Sequence, residues 1–135
     1  MYKALIFYTG VEYRLSQLQS CWLLIRTGAI LLPIYQTAHY QVNESAVPKV
    51  KAAIEEFIHY VQHNEPGTKF YASWQQQNDP TRFMHLFIFE DEAAHTVHGG
   101  SAAVRQFESV YRPELVGGPV VFTDYLHIAT NRPML

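Results

Sequence analysis

The chain has 135 residues, enough for one domain whose single core buries roughly two-thirds of the surface its unfolded form exposes. Its formal net charge is -2 and it has no Lys/Arg run, so the basic footprint that nucleic-acid binding requires is missing. A lone cysteine, Cys21, excludes an intrachain disulfide, while the 14% aromatic share supplies flat, polarizable surface able to hold a planar ligand.

In chain order, the first segment is the hardest to read. An apolar stretch from Cys21 to Tyr35 carries Arg26 at its centre and is too short for a transmembrane helix. It also lacks the charged start and small-x-small cleavage site of a signal peptide. Residues 1–32 are therefore expected to be an N-terminal extension, either an added helix or strand packed on the domain or a segment outside the fold. No Met lies between Met1 and Met84, so a start near Leu31 or Leu32 would use a non-Met codon. Cys21 reads as a small buried hydrophobe. The expectation is a cytoplasmic protein with no membrane partner.

From residue 33 to 130 the pattern is regular, and 131–135 form a short tail. A strand is predicted over Ile34–Val42, with Gln36, Ala38 and Tyr40 on one face and Thr37, His39 and Gln41 on the other. Ser45 is expected to cap a helix that tolerates Pro48 in its first turn. Val47, Val50, Ile54, Phe57 and Val61 recur at three- and four-residue steps, which makes one buried stripe, and the helix ends at Asn64–Gly67. A second strand from Thr68 to about Gln76 turns through Asn78, Asp79 and Pro80 into a third, Arg82–Phe89. That third strand is apolar on both faces, with Phe83, Phe87 and Phe89 on one side and Met84, Leu86 and Ile88 on the other. One set of helices covers one face only, so the other calls for a second copy of the chain. A second helix is predicted from about Asp91 to Leu115 with a break at Gly99–Gly100, and a last strand from Val120 to Ala129. Strand, helix, strand, strand, helix, strand is the split βαβ order of an α+β, ferredoxin-like domain with a four-stranded antiparallel sheet.

The chemistry candidates are histidines. His59 and His63 have a metal-compatible spacing, but they lie opposite the buried stripe and lack an H-E-x-x-H motif, so they read as solvated surface and no metal is expected. No G-x-S-x-G elbow or phosphate loop occurs. His85 shares a strand face with Phe83, Phe87 and Phe89 and is either a satisfied core histidine or a pocket residue. His98 sits at the edge of a helix face with Ala94 and Val97, either exposed or reaching a cleft between helix and sheet, with His95 beside it.

Short landmarks in fixed order add a resemblance. Glu65-Pro66-Gly67-Thr68 with Tyr71, then Ala94, His98 and Ser101 with Phe107, then Gly118-Pro119, resemble the pattern of the antibiotic biosynthesis monooxygenase (ABM) family. The resemblance implies a dimeric α+β barrel whose subunits each hold a pocket between sheet and helices. It implies oxygenation of a small quinol-like or polyphenolic aromatic by dioxygen with no cofactor, His85 and His98 being the catalytic pair. Tyr40, Phe87, Phe89 and His95 are the expected substrate contacts, and burial should make His85 the neutral base and leave His98 as donor. Phe87, Ile88 and Phe89 stand where relatives often carry E-x-W, and Ala103 stands where a second helix histidine occurs. Glu108 lies near the place of the axial histidine of haem-degrading relatives, which argues against haem. Two other activities fit the same pocket: isomerisation or breakdown of a small carbonyl signal molecule, and non-catalytic ligand binding by a dimer.

Overall fold

The computed structural model describes residues 32–133, so the expectations for the preceding segment, Cys21 included, lie outside the described residues. The elements follow in the order β1 (Ile34–Gln41), α1 (Val47–Asn64), β2 (Thr68–Gln75), β3 (Arg82–Phe89), α2 (Glu92–Gly99), α3 (Ala102–Tyr111) and β4 (Val121–Tyr125). The strands form one antiparallel sheet in the order β2-β3-β1-β4, the ferredoxin-like α+β arrangement expected from the βαββαβ pattern.

The α1 stripe is buried as its periodicity requires: Val50, Ile54, Phe57 and Val61 face the sheet and pack with Tyr40, Phe83, Phe107 and Tyr111. Its start differs from expectation. Ser45 does not cap it; a 3-10 turn over Glu44–Ala46 leads in, and Ala46 precedes the helix with no side-chain cap. Pro48 in the first turn brings no N–H, so one donor that a cap would satisfy is absent anyway. The second helical region is two helices. Asp91 caps α2 by accepting from Ala94 N at 2.8 Å, and Ser101 caps α3 by accepting from Val104 N at 3.0 Å. The last strand is shorter than predicted, ending at Tyr125, with Leu126 and Ile128 about nine-tenths exposed. Gly117 and Gly118 enter it at φ 76° and 119°, left-handed conformations that favour glycine.

The register places Gln36, Ala38, Tyr40, Tyr71, His85, Phe87 and Phe122 on the helix-covered face. The opposite face carries Phe70, Trp74, Val121 and Tyr125, each roughly half-exposed.

Gly67 sets how closely α2 approaches the sheet. A Cβ there would stand 2.6 Å from the Ala94 Cβ, and an alanine methyl cannot move without its backbone. Gly67→Ala should therefore cost about 1–3 kcal/mol of stability. In urea unfolding, Gly67→Ala combined with Ala94→Gly should be more stable than the sum of the two single losses. Additive losses would place the strain elsewhere.

Candidate functional site

The alternation of β3 sends Phe83, His85, Phe87 and Phe89 to the helix side, where the rings of His85, Phe87 and Phe89 stack along the strand and Phe83 stacks on Tyr40. His85 and Phe87 lie 10° from parallel, as do Phe87 and Phe89. His85 is 1% exposed, yet both ring nitrogens are met: Nε2 lies 2.9 Å from Tyr40 Oη and Nδ1 lies 2.7 Å from Tyr71 Oη. Burial, with a smaller push from His39, pulls its pKa down to about 3. A neutral imidazole has one donor and one acceptor, so one tyrosine accepts from it and the other donates to it. Burial also holds the Tyr40 and Tyr71 hydroxyls well above the ordinary tyrosine range.

His98 is not at a cleft edge but buried in the last turn of α2, ringed by Phe57, Phe87 and Phe89 at 5.1 to 5.6 Å. Its Nδ1–H donates to Glu65 Oε2 at 2.6 Å, and the same oxygen accepts from Thr68 Oγ1 at 2.9 Å. Glu65 caps the C-terminus of α1 and is itself buried, with Oε1 lacking a partner among the described residues. The carboxylate fixes the tautomer and leaves Nε2, which has no protein partner among the described residues, as the acceptor. His85 is neutral as predicted but has both nitrogens engaged, whereas His98 keeps one free.

Both line a cavity of about 280 Å³ between sheet and helices, together with Tyr40, Tyr71, Tyr111, Phe57, Phe87, Phe107, His95 and Glu108. Phe89, an expected contact, does not line it; it is 1% exposed and packs behind His95 and His98 at 5.0 and 5.1 Å. Tyr111 stacks on Tyr40 at 4.8 Å, and burial pushes its hydroxyl up to about 12. Glu108 accepts from Arg112 Nη2 at 2.6 Å. A hollow of about 470 Å³ on the opposite sheet face is larger but is lined by Trp74, Met84 and Val121 without a buried titratable cluster, so the smaller one is the candidate site. His59 and His63 are exposed, and among the described residues no three metal-binding side chains converge.

Glu65 and Tyr71 are legible as parts of the landmark E-P-G-T-x-x-Y but not as partners of the histidines. Tyr111 carries no signal beyond its place on an amphipathic helix.

A family profile described as Antibiotic biosynthesis monooxygenase matches residues 33–109, more than half of the chain. No curated protein matches the sequence. A candidate antibiotic biosynthesis monooxygenase from Bacteroides thetaiotaomicron superposes with a TM-score of 0.68 at 16% identity, over 76% of this chain and 96% of that one. One from Caulobacter crescentus gives 0.67 at 16% identity, over 78% and 98%. A Mycobacterium tuberculosis protein gives 0.66 at 16% identity, over 75% and 100%. At such identities the shared property is the fold.

The depressed His85 pKa has a consequence for stability. Between its unfolded value of 6.5 and its folded value of about 3, the unfolded chain binds a proton that the native state refuses. Stability should fall as pH drops through that window, by up to about 1.4 kcal/mol per pH unit from this residue. His85→Phe, whatever its absolute stability, should lose that part of the slope in urea titrations between about pH 7 and pH 5. Equal slopes in both proteins would mean that His85 titrates normally.

Proposed function

Because the chain belongs to the antibiotic biosynthesis monooxygenase family, we propose that its aromatic cavity oxygenates a small quinol-like or polyphenolic molecule with dioxygen and no bound cofactor. The observation that carries this reading is the buried Glu65–His98 pair, whose Nδ1 is held at 2.6 Å while Nε2 is left for a ligand. A phenol in the cavity gives its proton to Nε2, and the carboxylate stabilises the imidazolium that results. The phenolate is electron-rich enough to reduce dioxygen itself. One oxygen atom bonds to a ring carbon in place of its hydrogen, the other leaves as water, and the quinol ends as a hydroxyquinone, the substrate supplying all four electrons. The stacked walls exclude water, which strengthens each hydrogen bond to the developing anion.

Among the described residues that line the cavity none is Lys or Arg, which fits an uncharged aromatic better than a phosphate or carboxylate. The half-exposed Phe70, Trp74, Val121 and Tyr125 on the other sheet face fit a second copy packed face to face. The working unit is then a homodimer.

Oxygen uptake with a panel of quinols and polyphenols tests the reading. Consumption of one dioxygen per product is expected, and ligand turnover without uptake would favour isomerisation or breakdown of a carbonyl compound instead. Binding without turnover would leave a ligand-binding dimer. His98→Ala should lower kcat by about 10²- to 10⁴-fold. Glu65→Gln should move kcat in the same direction with KM nearly unchanged, because it removes the carboxylate's charge while keeping an acceptor for Nδ1–H. Light scattering at micromolar concentration should give a dimer mass that Trp74→Glu shifts toward monomer; a wild-type monomer would overturn the face-to-face pairing.

A further inference from the structure

Outside the cavity, the last turns of α1 bring two imidazoles together. His59 and His63 stand one helical turn apart, with ring centres 4.3 Å from one another and planes 35° apart. Both are exposed, on the side of α1 away from the stripe of Val50, Ile54, Phe57 and Val61. Exposure matches the solvated surface expected of the pair, but His63 is not oriented as a free side chain. Its Nδ1–H donates to the His59 backbone carbonyl at 2.7 Å, and a carbonyl can only accept, so the roles in this bond are settled. The neutral ring therefore keeps its lone pair on Nε2. Metal-binding histidines are held in the same way, one nitrogen donating to a carbonyl or carboxylate and the other left for the ion.

Spacing and charge agree with that arrangement. Two imidazoles sharing one ion at about 2.1 Å have centres roughly 4.5 to 5 Å apart, so this pair need only part slightly. From Glu55 to Asn64 the helix carries no Lys or Arg, and Glu55 and Glu56 stand one turn before His59. His63 lies in the last turn, where the helix dipole favours positive charge. We propose that His59 and His63 form a two-histidine site for a transition-metal dication: Zn²⁺, Ni²⁺ or, most tightly, Cu²⁺. Imidazole suits these ions, whereas Mg²⁺ and Ca²⁺ call for oxygen ligands. No third metal-binding side chain converges there among the described residues, so water completes the coordination. The ion bridges successive turns and staples the end of the helix that Glu65 closes. It takes no part in the oxygenation proposed above.

Calorimetric titration of the untagged full chain with Cu²⁺ and Zn²⁺ tests this. One ion per chain is expected, with no binding of Mg²⁺. Closing a chelate gains about 10²-fold over a single imidazole, so His59→Ala and His63→Ala should each weaken binding by about that factor. His127→Ala, which removes an exposed histidine elsewhere, should leave it unchanged. Urea unfolding gives a second readout. Without metal both α1 variants should keep a cooperative transition, because alanine is the stronger helix former. With Zn²⁺ the midpoint should rise in wild type and not in either variant. Halved stoichiometry at unchanged affinity would mean two independent imidazoles, and undiminished binding in both variants would put the ion elsewhere. Either result would overturn the proposal, as would a wild type that binds no ion or a midpoint that metal fails to raise or raises equally in all three proteins.

Discussion

A carboxylate withdrawn from water must be met by donors, and in this chain that requirement ties the helices to the sheet at one point. Glu65 is 5% exposed, and its Oε2 takes hydrogen bonds from Thr68 at the start of β2 and from His98 at the end of α2. It also closes α1, whose last turn accepts its backbone N–H at 3.0 Å. Two residues later, Gly67 brings α2 in over the sheet, since any Cβ there would meet Ala94. One turn therefore sets the spacing of three elements and the orientation of the imidazole facing the cavity. Packing and site chemistry are the same constraint here.

The second constraint is the row of rings along β3. A histidine set among Phe83, Phe87 and Phe89 would be costly if either nitrogen were unmet, and the two tyrosine hydroxyls remove that cost from β1 and β2 at once. The result is a wall that is aromatic in area and polar at chosen points, with its imidazole neutral through the physiological range. Such a wall suits a planar ligand, because stacking area supplies affinity while a few fixed donors and acceptors decide orientation.

The helices pack over β2 and β3, which leaves β4 uncovered along its length. Phe122 on the cavity side and Val121 on the other are both more than half exposed. The cavity therefore lies where the helix layer ends, bounded by sheet on one side and by α2 and α3 on the other. The same asymmetry leaves the far face of the sheet open, and the proposed pairing with a second copy answers it.

Periodicity made much of this legible beforehand. The buried stripe of α1, the two-faced apolar character of β3 and the glycine breaks are local patterns, repeating every two or three to four residues, and the element order follows from them. Local reading failed where a nearby polar residue had an alternative, as at Ser45, where a backbone turn leads into the helix instead. It also failed at the end of β4, where Leu126–Ala129 has strand character but the strand stops at Tyr125. The histidines could be picked out because they break apolar faces, but their roles could not be assigned. Local spacing puts His98 at a helix edge and says nothing of what meets the His85 nitrogens, because neither histidine's partner is local. Glu65 lies 33 residues before His98, and Tyr40 lies 45 before His85. The sequence alone determined which faces are buried, since burial follows from hydrophobic alternation within each element. Only the tertiary structure decided which imidazole nitrogen stays free, since that depends on hydrogen-bond partners that chain crossovers bring within 3 Å of it.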